Sequence, residues 1–253
     1  MDLTERAIIQ GGDARHPWEL SRAACIGSVF SSLLSGRAAT PLRIADVGAG
    51  DRFFDLYLQR RLGVRGIRAQ ITAIDANYGP EERPEAGILL ARDLGEVVEH
   101  STDVIFMMDV LEHVADDAQF LALAFSRLKA GGKIIITVPA FQSLFSVHDV
   151  FLKHYRRYDA ARLRKIVEPT GGRIVACHYF YTSLIVARFL QLKLHLLNER
   201  TEHGVSGWKH GRRSILTRLV ETILNGDFRV NQLLSQLGIH LPGLSLLMVV
   251  EKS

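Results

Sequence analysis

The chain has 253 residues, a length that one large α/β domain can occupy and that buries most of its apolar surface without disulfides or metals. Hydrophobic residues make up 47% and charged residues 23%, the proportions of an ordinary soluble globular protein, with a formal net charge of +4. Cys25 and Cys177 are its two cysteines and sit in no CxxC or Cys/His cluster, so no zinc site, other metal or disulfide framework is expected, and the usage fits a reducing compartment. The N-terminus has early acids and no apolar core run, so it does not read as a signal peptide. No stretch reaches the roughly 18 uninterrupted apolar residues of a membrane span. A cytoplasmic location is the expectation.

In chain order, residues 1–40 read as a helical cap, with Leu20, Ala24, Val29 and Leu33 in a helix-like rhythm and Ser35-Gly36 as a stop. A strand over Leu42–Val47 runs into the turn Gly48-Ala49-Gly50-Asp51, then a helix over Phe53–Leu62. Strands follow at Gln70–Ile74, Gly87–Ala91 and Asp103–Met108, and a helix at Asp116–Leu128. The turn Ala130-Gly131-Gly132 leads into a strand over Lys133–Val138, stopped by Pro139. A helix over Asp159–Glu168, a strand over Arg173–Tyr179 and a last strand over Leu244–Val250 complete the pattern. This alternation predicts a doubly wound α/β fold, a parallel sheet covered on both faces. Within a single domain, residues 41–180 are the core, 181–243 an insertion without strand pattern, and 244–253 the last strand.

The segment Arg43–Asp51 is the sharpest signal. A buried strand runs into glycines that let a ligand approach the backbone, with a helix N-terminus behind it. Asp75 ends the second strand, about 25 residues beyond the glycines, where a carboxylate can accept both hydroxyls of a ribose. Asp93-Leu94 follows the third strand at the same sheet edge. Ligands in open α/β sheets bind outside the carboxyl ends of the strands, where all three segments lie.

Asp46-Val47-Gly48-Ala49-Gly50, Asp75, Met108-Asp109-Val110-Leu111-Glu112-His113-Val114 and Leu128-Lys129-Ala130-Gly131-Gly132-Lys133 together resemble class I S-adenosylmethionine-dependent methyltransferases. The post-strand-four segment is similar to that of the ubiquinone-biosynthesis and related small-molecule branch. The resemblance covers residues 40–180 and the final strand. It implies a Rossmann-like seven-stranded sheet with an antiparallel last strand, and S-adenosyl-L-methionine as cofactor. By position, it places Gly48, Ala49 and Gly50 against the methionine portion, with Asp46 holding the turn or the amino group. Asp75, with Ala76 beside it, would bind the ribose. Asp93 would face the adenine amino group and Leu94 the ring, while Asp109 and Val110 would line the cofactor floor. One departure is Arg52, which stands where the family often has a third glycine.

On the acceptor side, residues 140–149 and His154-Tyr155-Arg156-Arg157-Tyr158 concentrate aromatic, histidine and arginine residues just past the fifth strand. His148 and His154 are the candidate general bases, since histidine titrates near neutral pH, and Asp149 can orient either one. Arg156 and Arg157 can clamp an anion; the alternative is a solvated face or a cap. Phe141, Tyr155 and Tyr158 are candidate substrate contacts, as are His113 and Trp18, the last as part of a lid. The region 181–242 holds eight Lys or Arg against four Asp or Glu. Leu184, Ile185, Phe189, Leu192 and Leu196 mark one side of a helix there, and Lys209–Arg213 is the densest basic run. Peripheral membrane contact through residues 181–218 is one reading. A helix packed over the domain is the other.

The leading function is methyl transfer to a small-molecule or lipid-like oxygen, nitrogen or carbon. RNA or protein methylation is the alternative, although no RNA-binding module or Asn-Pro-Pro-Tyr-type motif is visible and no nucleic-acid partner is expected. A cofactor-binding protein without catalysis is a further reading. A dinucleotide-dependent oxidoreductase would need glycine where Phe53 stands. The oligomeric state has no sequence signature.

Overall fold

In the computed structural model the described residues are 15–34, 41–84, 87–185 and 214–253. Seven strands form one sheet in the order β3-β2-β1-β4-β5-β7-β6. They are β1 (Leu42–Val47), β2 (Ala69–Ile74), β3 (Ile88–Ala91), β4 (Thr102–Met108), β5 (Leu128–Pro139), β6 (Arg173–Phe180) and β7 (Ser245–Glu251). The β3-β2-β1-β4-β5 run is parallel, with Ile44 opposite Ile71 and Val104. β7 slots between β5 and β6 and is antiparallel to both, placing Ile135 opposite Val249 and Tyr179 opposite Leu246. The expected doubly wound sheet with an antiparallel last strand is what the chain adopts.

Among the described residues the helices that cover the faces are α1 (Pro17–Leu33), α2 (Phe53–Val64), α3 (Asp117–Arg127), α4 (Val147–Phe151), α5 (Ala160–Val167) and α6 (Ile215–Gln236). Alternate strand residues point to opposite faces, so the sheet feeds two cores. Ile44, Phe106, Ile135, Leu247 and Val249 pack with Ile26 and Phe30 of α1, Leu58 of α2 and Phe228 of α6. Ala45, Ile105, Ile134, Ile136 and Met248 pack with Leu121 and Phe125 of α3 and Leu163 of α5. Phe106 receives the rings of Phe30 and Phe54 edge-on at 5.4 and 5.0 Å.

Several boundaries differ from the sequence reading. Asp116 and Asp159 lie outside the helices they were expected to begin, because their carboxylates cap the amides of Gln119 and Arg162. The turn at Gly131, φ +70°, lies within β5, whose ladder skips there but resumes at Lys133. The expected stop at Ser35-Gly36 and nearly all of the helix expected around residues 184–198 lie outside the described residues, as does the basic run 209–213. No helix among the described residues is long and apolar enough to cross a membrane.

His178 of β6 is buried against the Phe228 ring of α6, 5.4 Å away, and its Nε2 has no hydrogen-bond partner. Burial pushes its pKa down to about 4. A depressed pKa means that the folded state resists protonation, so this contribution is present above pH 6.5 and is lost as pH falls from there through 4. Denaturant titrations should show stability falling by about 3 kcal/mol across that window, and His178→Leu should flatten this limb.

Candidate active site

Between β1 and β4 the connection changes direction across the sheet, and open α/β sheets leave a crevice at the carboxyl edge there. The Gly48 and Ala49 amides donate to the Ile74 carbonyl of β2 at 2.8 and 3.1 Å. Gly48 has φ +72°, and a Cβ on it would stand 2.8 Å from Val110 Cγ2. The turn therefore needs glycine both for its backbone and for the close approach of the loop after β4. The Gly50 amide donates to Asp75 Oδ2 at 2.9 Å, and the Asn77 amide to Asp75 Oδ1 at 2.9 Å. Arg52 adopts φ 62°, the left-handed region that glycine occupies without strain. Its guanidinium is held by the Arg83 carbonyl at 2.8 Å and Glu82 at 3.2 Å, contacts a third glycine could not make.

Asp46 at the end of β1 is 1% exposed, and neither carboxylate oxygen has a hydrogen-bond partner. Burial pushes its pKa up to about 7, with Arg22 opposing the rise and Asp75 adding to it. It lines an open cavity together with Gly48, Ala49, Asp51 and Met108. The other wall comes from Arg15, Glu19 and Arg22, at the start of α1. Arg15 pairs with Asp51 and lies 4.0 Å over the Phe53 ring. Arg22 pairs with Asp109 and lies 4.3 Å over the half-buried Trp18 ring. Sequence reasoning named Trp18 and missed these three; Glu19 and Arg22 share a face of α1, Arg15 lies four residues before Glu19, and that spacing was the available signal.

Asp109 has φ +55°, anchored by its amide on the Thr137 carbonyl at 2.9 Å and by Thr137 Oγ1 on its carboxylate at 3.1 Å. Val110 follows, half-buried against Gly48. Asp93 caps the short turn after β3 by accepting from the Gly95 amide, while Leu94 is buried in the α3 and α5 core. Ala76 is exposed beside Asp75.

The segment after β5 folds around Asp149, which is fully buried. Its carboxylate accepts from the Ser146 amide at 2.9 Å, from Arg157 Nε and Nη2 at 2.7 and 3.1 Å, and meets His154 Nδ1 at 2.9 Å. Burial alone would raise its pKa, but the His154 and Arg157 contacts outweigh it and hold the carboxyl well below the usual range. Of the two histidines that Asp149 was expected to orient, His154 is the one it touches. His148 is half-buried on α4. His113 lies edge-on to His154 with ring centres 4.6 Å apart. Beneath them Glu112 is fully buried with both carboxylate oxygens unpartnered, and burial pushes its pKa up to about 8.

The two arginines are committed to the protein itself: Arg157 to Asp149, Arg156 to Asp117 at 2.7 Å and the Ala115 carbonyl at 2.7 Å. Tyr158 is fully buried and donates its hydroxyl to Asp117 at 2.7 Å, while Tyr155 is 59% exposed. Phe141 stacks on Tyr179 with ring centres 4.8 Å apart.

Comparison with known proteins gives a consistent result. Residues 23–176 match the family described as "Methyltransferase domain". Over 76 residues the chain is 32% identical to a Mycolicibacterium smegmatis protein described as a "probable S-adenosylmethionine-dependent methyltransferase", a match spanning 29% of this chain and 30% of that relative. The fold is similar to that of an Archaeoglobus fulgidus SAM-dependent methyltransferase, with TM-score 0.56 and 19% identity over 99% of this chain and 98% of that one. It is also similar to Haemonchus contortus phosphoethanolamine N-methyltransferase 2, solved with S-adenosyl-L-methionine, with TM-score 0.55 and 15% identity over 99% of this chain and 56% of that one.

Removing Asp149 strands a buried guanidinium. Asp149→Ala should therefore cost about 3–5 kcal/mol of unfolding free energy by denaturant titration, far more than an exposed ion pair. A loss below about 1 kcal/mol would mean that Arg157 finds solvent in the folded state.

Proposed function

The chain belongs to the methyltransferase domain family, and on that premise we propose that it transfers the methyl group of S-adenosyl-L-methionine to an acceptor beside residues 141–158. The observation that carries this reading is Asp46, a buried unpaired carboxylate facing a cavity whose opposite wall holds two guanidiniums. The methionyl part of the cofactor offers the complementary ammonium and carboxylate. Gly48 and Gly50 leave room for it without a Cβ in the way, and Ala49 adds only a methyl group. Asp75 accepts from the Gly50 amide at Oδ2 and from both the backbone and side-chain amides of Asn77 at Oδ1; Asn77 is exposed, so its side chain can turn away and leave two of the carboxylate's roughly four lone-pair sites for the ribose hydroxyls. Ala76 would flank the base and Asp93 its amino group, with Asp109 and Val110 as the floor, whereas Leu94, expected against the ring, is buried in the core behind this loop.

The bound cofactor supplies a methyl already activated by its sulfonium, displaced in line by the acceptor. The protein's contribution is then alignment and exclusion of water. A base is needed only where the acceptor must lose a proton. His154 is the better placed of the two candidates, because Asp149 fixes its Nδ1 and leaves Nε2 for that proton; His148 is the second. His113, Phe141 and Tyr155 would border the acceptor, with Trp18 as part of the lid. Arg156 and Tyr158 would shape that border through Asp117 rather than by direct contact.

We take the acceptor to be a small or lipid-like molecule, in a single domain whose insertion covers it. Ile215, Leu219, Ile223, Val230, Leu233 and Leu237 are all exposed and fall along one side of α6. Together with the basic excess of residues 181–242, this stripe also supports peripheral contact of the insertion with an anionic membrane surface.

Calorimetry should show S-adenosylhomocysteine binding and no NAD binding, with Asp75→Ala weakening the former by roughly 1–3 kcal/mol. NAD binding, or an Asp75→Ala variant of unchanged affinity, would sink the assignment. Incubation with methyl-labelled cofactor and fractionated cell extract should place label in the small-molecule or lipid fraction; label in RNA or protein selects the alternative acceptors. For the membrane reading, the protein should sediment with anionic but not neutral vesicles and be released by salt. Equal behaviour with both vesicle types would remove it.

A further inference from the structure

The Glu112, His113 and His154 cluster is not used by the cofactor reading. One nitrogen of each imidazole and a carboxylate oxygen of Glu112 lie within 4.8 Å of one another. Glu112 is fully buried and neither of its oxygens has a hydrogen-bond partner, so a buried carboxyl group stands beside two imidazoles with both oxygens open to a ligand. We propose that Glu112, His113 and His154 bind one divalent first-row transition ion at the acceptor side of the site.

The ligand set suits such an ion. Two imidazoles and one carboxylate favour zinc, cobalt, manganese or iron over magnesium and calcium, which prefer all-oxygen sites. Three protein ligands leave at least one coordination position for water or an acceptor oxygen. Atoms each about 2.1 Å from one ion are at most about 4.2 Å apart, so the cluster needs only a small contraction, which the exposed His113 can supply.

Surrounding contacts prepare the geometry. Asp149 meets His154 Nδ1 at 2.9 Å, the carboxylate–histidine arrangement that fixes a ligating ring and directs Nε2 at the metal. The Tyr155 amide donates to the Glu112 carbonyl at 2.7 Å, which ties the two halves of the site together across 43 residues of chain. With the ion bound, His154 is a ligand rather than a base. The ion then takes over the task of making an acceptor hydroxyl more acidic. Ion binding itself does not depend on methyl transfer.

The test uses tag-free full-length protein, stripped with a chelator and titrated with Co²⁺ and Zn²⁺ without cofactor. Calorimetry should give one ion per chain, and Co²⁺ should develop d–d absorption and raise the melting temperature. Loss of an outer partner of a metal site already weakens binding 10–100-fold, so His113→Ala, His154→Ala and Glu112→Gln should each weaken it at least about tenfold. His240→Ala, on a different part of the chain, should leave it unchanged. Because His113 is exposed, His113→Ala decides the matter even if a buried-site variant fails to fold. No ion bound by the wild type, or equal binding by wild type and His113→Ala, overturns the proposal.

Discussion

The Asp149 carboxylate is the contact on which the segment after β5 is built. It is the meeting point of the start of α4, the His154 ring and the Arg157 side chain, all within a segment that leaves β5 and must return to the sheet at α5. Its environment excludes water, so each contact is strong, and each would be costly to leave unmade. Because the carboxylate cannot be satisfied without both partners, the position of the His154 ring is dictated from beneath rather than chosen by the ring itself. Tyr158 adds a second anchor by reaching Leu111 and Asp117, so the loop after β4 and the segment after β5 are fastened to each other at two depths.

The cofactor side obeys a different logic. There the sheet leaves buried acids unpaired: Asp46 at the end of β1, and Asp55 one turn into α2, whose pKa burial also pushes up. Unpaired buried carboxylates cost stability, and such costs persist in folded proteins mainly where a ligand answers them. Arg15 and Arg22 approach from α1 but spend their shortest contacts on Asp51 and Asp109. Asp46 is therefore left without a direct ion pair although two guanidiniums stand across the cavity from it.

Much of the fold was legible because it is written locally. Continuous apolar runs marked six strands to within one or two residues at either end, and the glycine turn announced the crevice. β5 was the exception, because its glycine turn masked the five residues by which it begins early. The insertion of β7 between β5 and β6 was not legible, since strand order depends on long-range pairing such as Ile135 with Val249. The site divides in the same way. Asp46, Gly48, Gly50 and Asp75 belong to recurring turns at strand ends, so position alone singled them out. Arg22 reaches Asp109 across 87 residues, and Glu112 approaches His154 across 42, distances over which sequence spacing carries no signal. Arg156 and Arg157 are neighbours of identical type, yet one is half-buried on Asp117 and the other lies beneath on Asp149. The segment leaves β5 without periodicity, so no pattern could distinguish them.

Helix α1 carries Arg22 on one side, with Arg15 just ahead of its N-cap, and leans on α6 with the other. Ser21 donates to Asn225 at 2.8 Å, and the Tyr181 hydroxyl donates to Ser21 at 3.2 Å. The wall of the cavity beside Asp46 and helix α6 are thus parts of one packed unit, and interiors this dense transmit displacement rather than absorb it. A molecule that repositions α6 changes the seat of two guanidiniums at the opposite end of the site. Linkage requires the converse, that whatever fills the cavity also sets where α6 rests. Any coupling between the two ends of the site would in this way pass through a single helix.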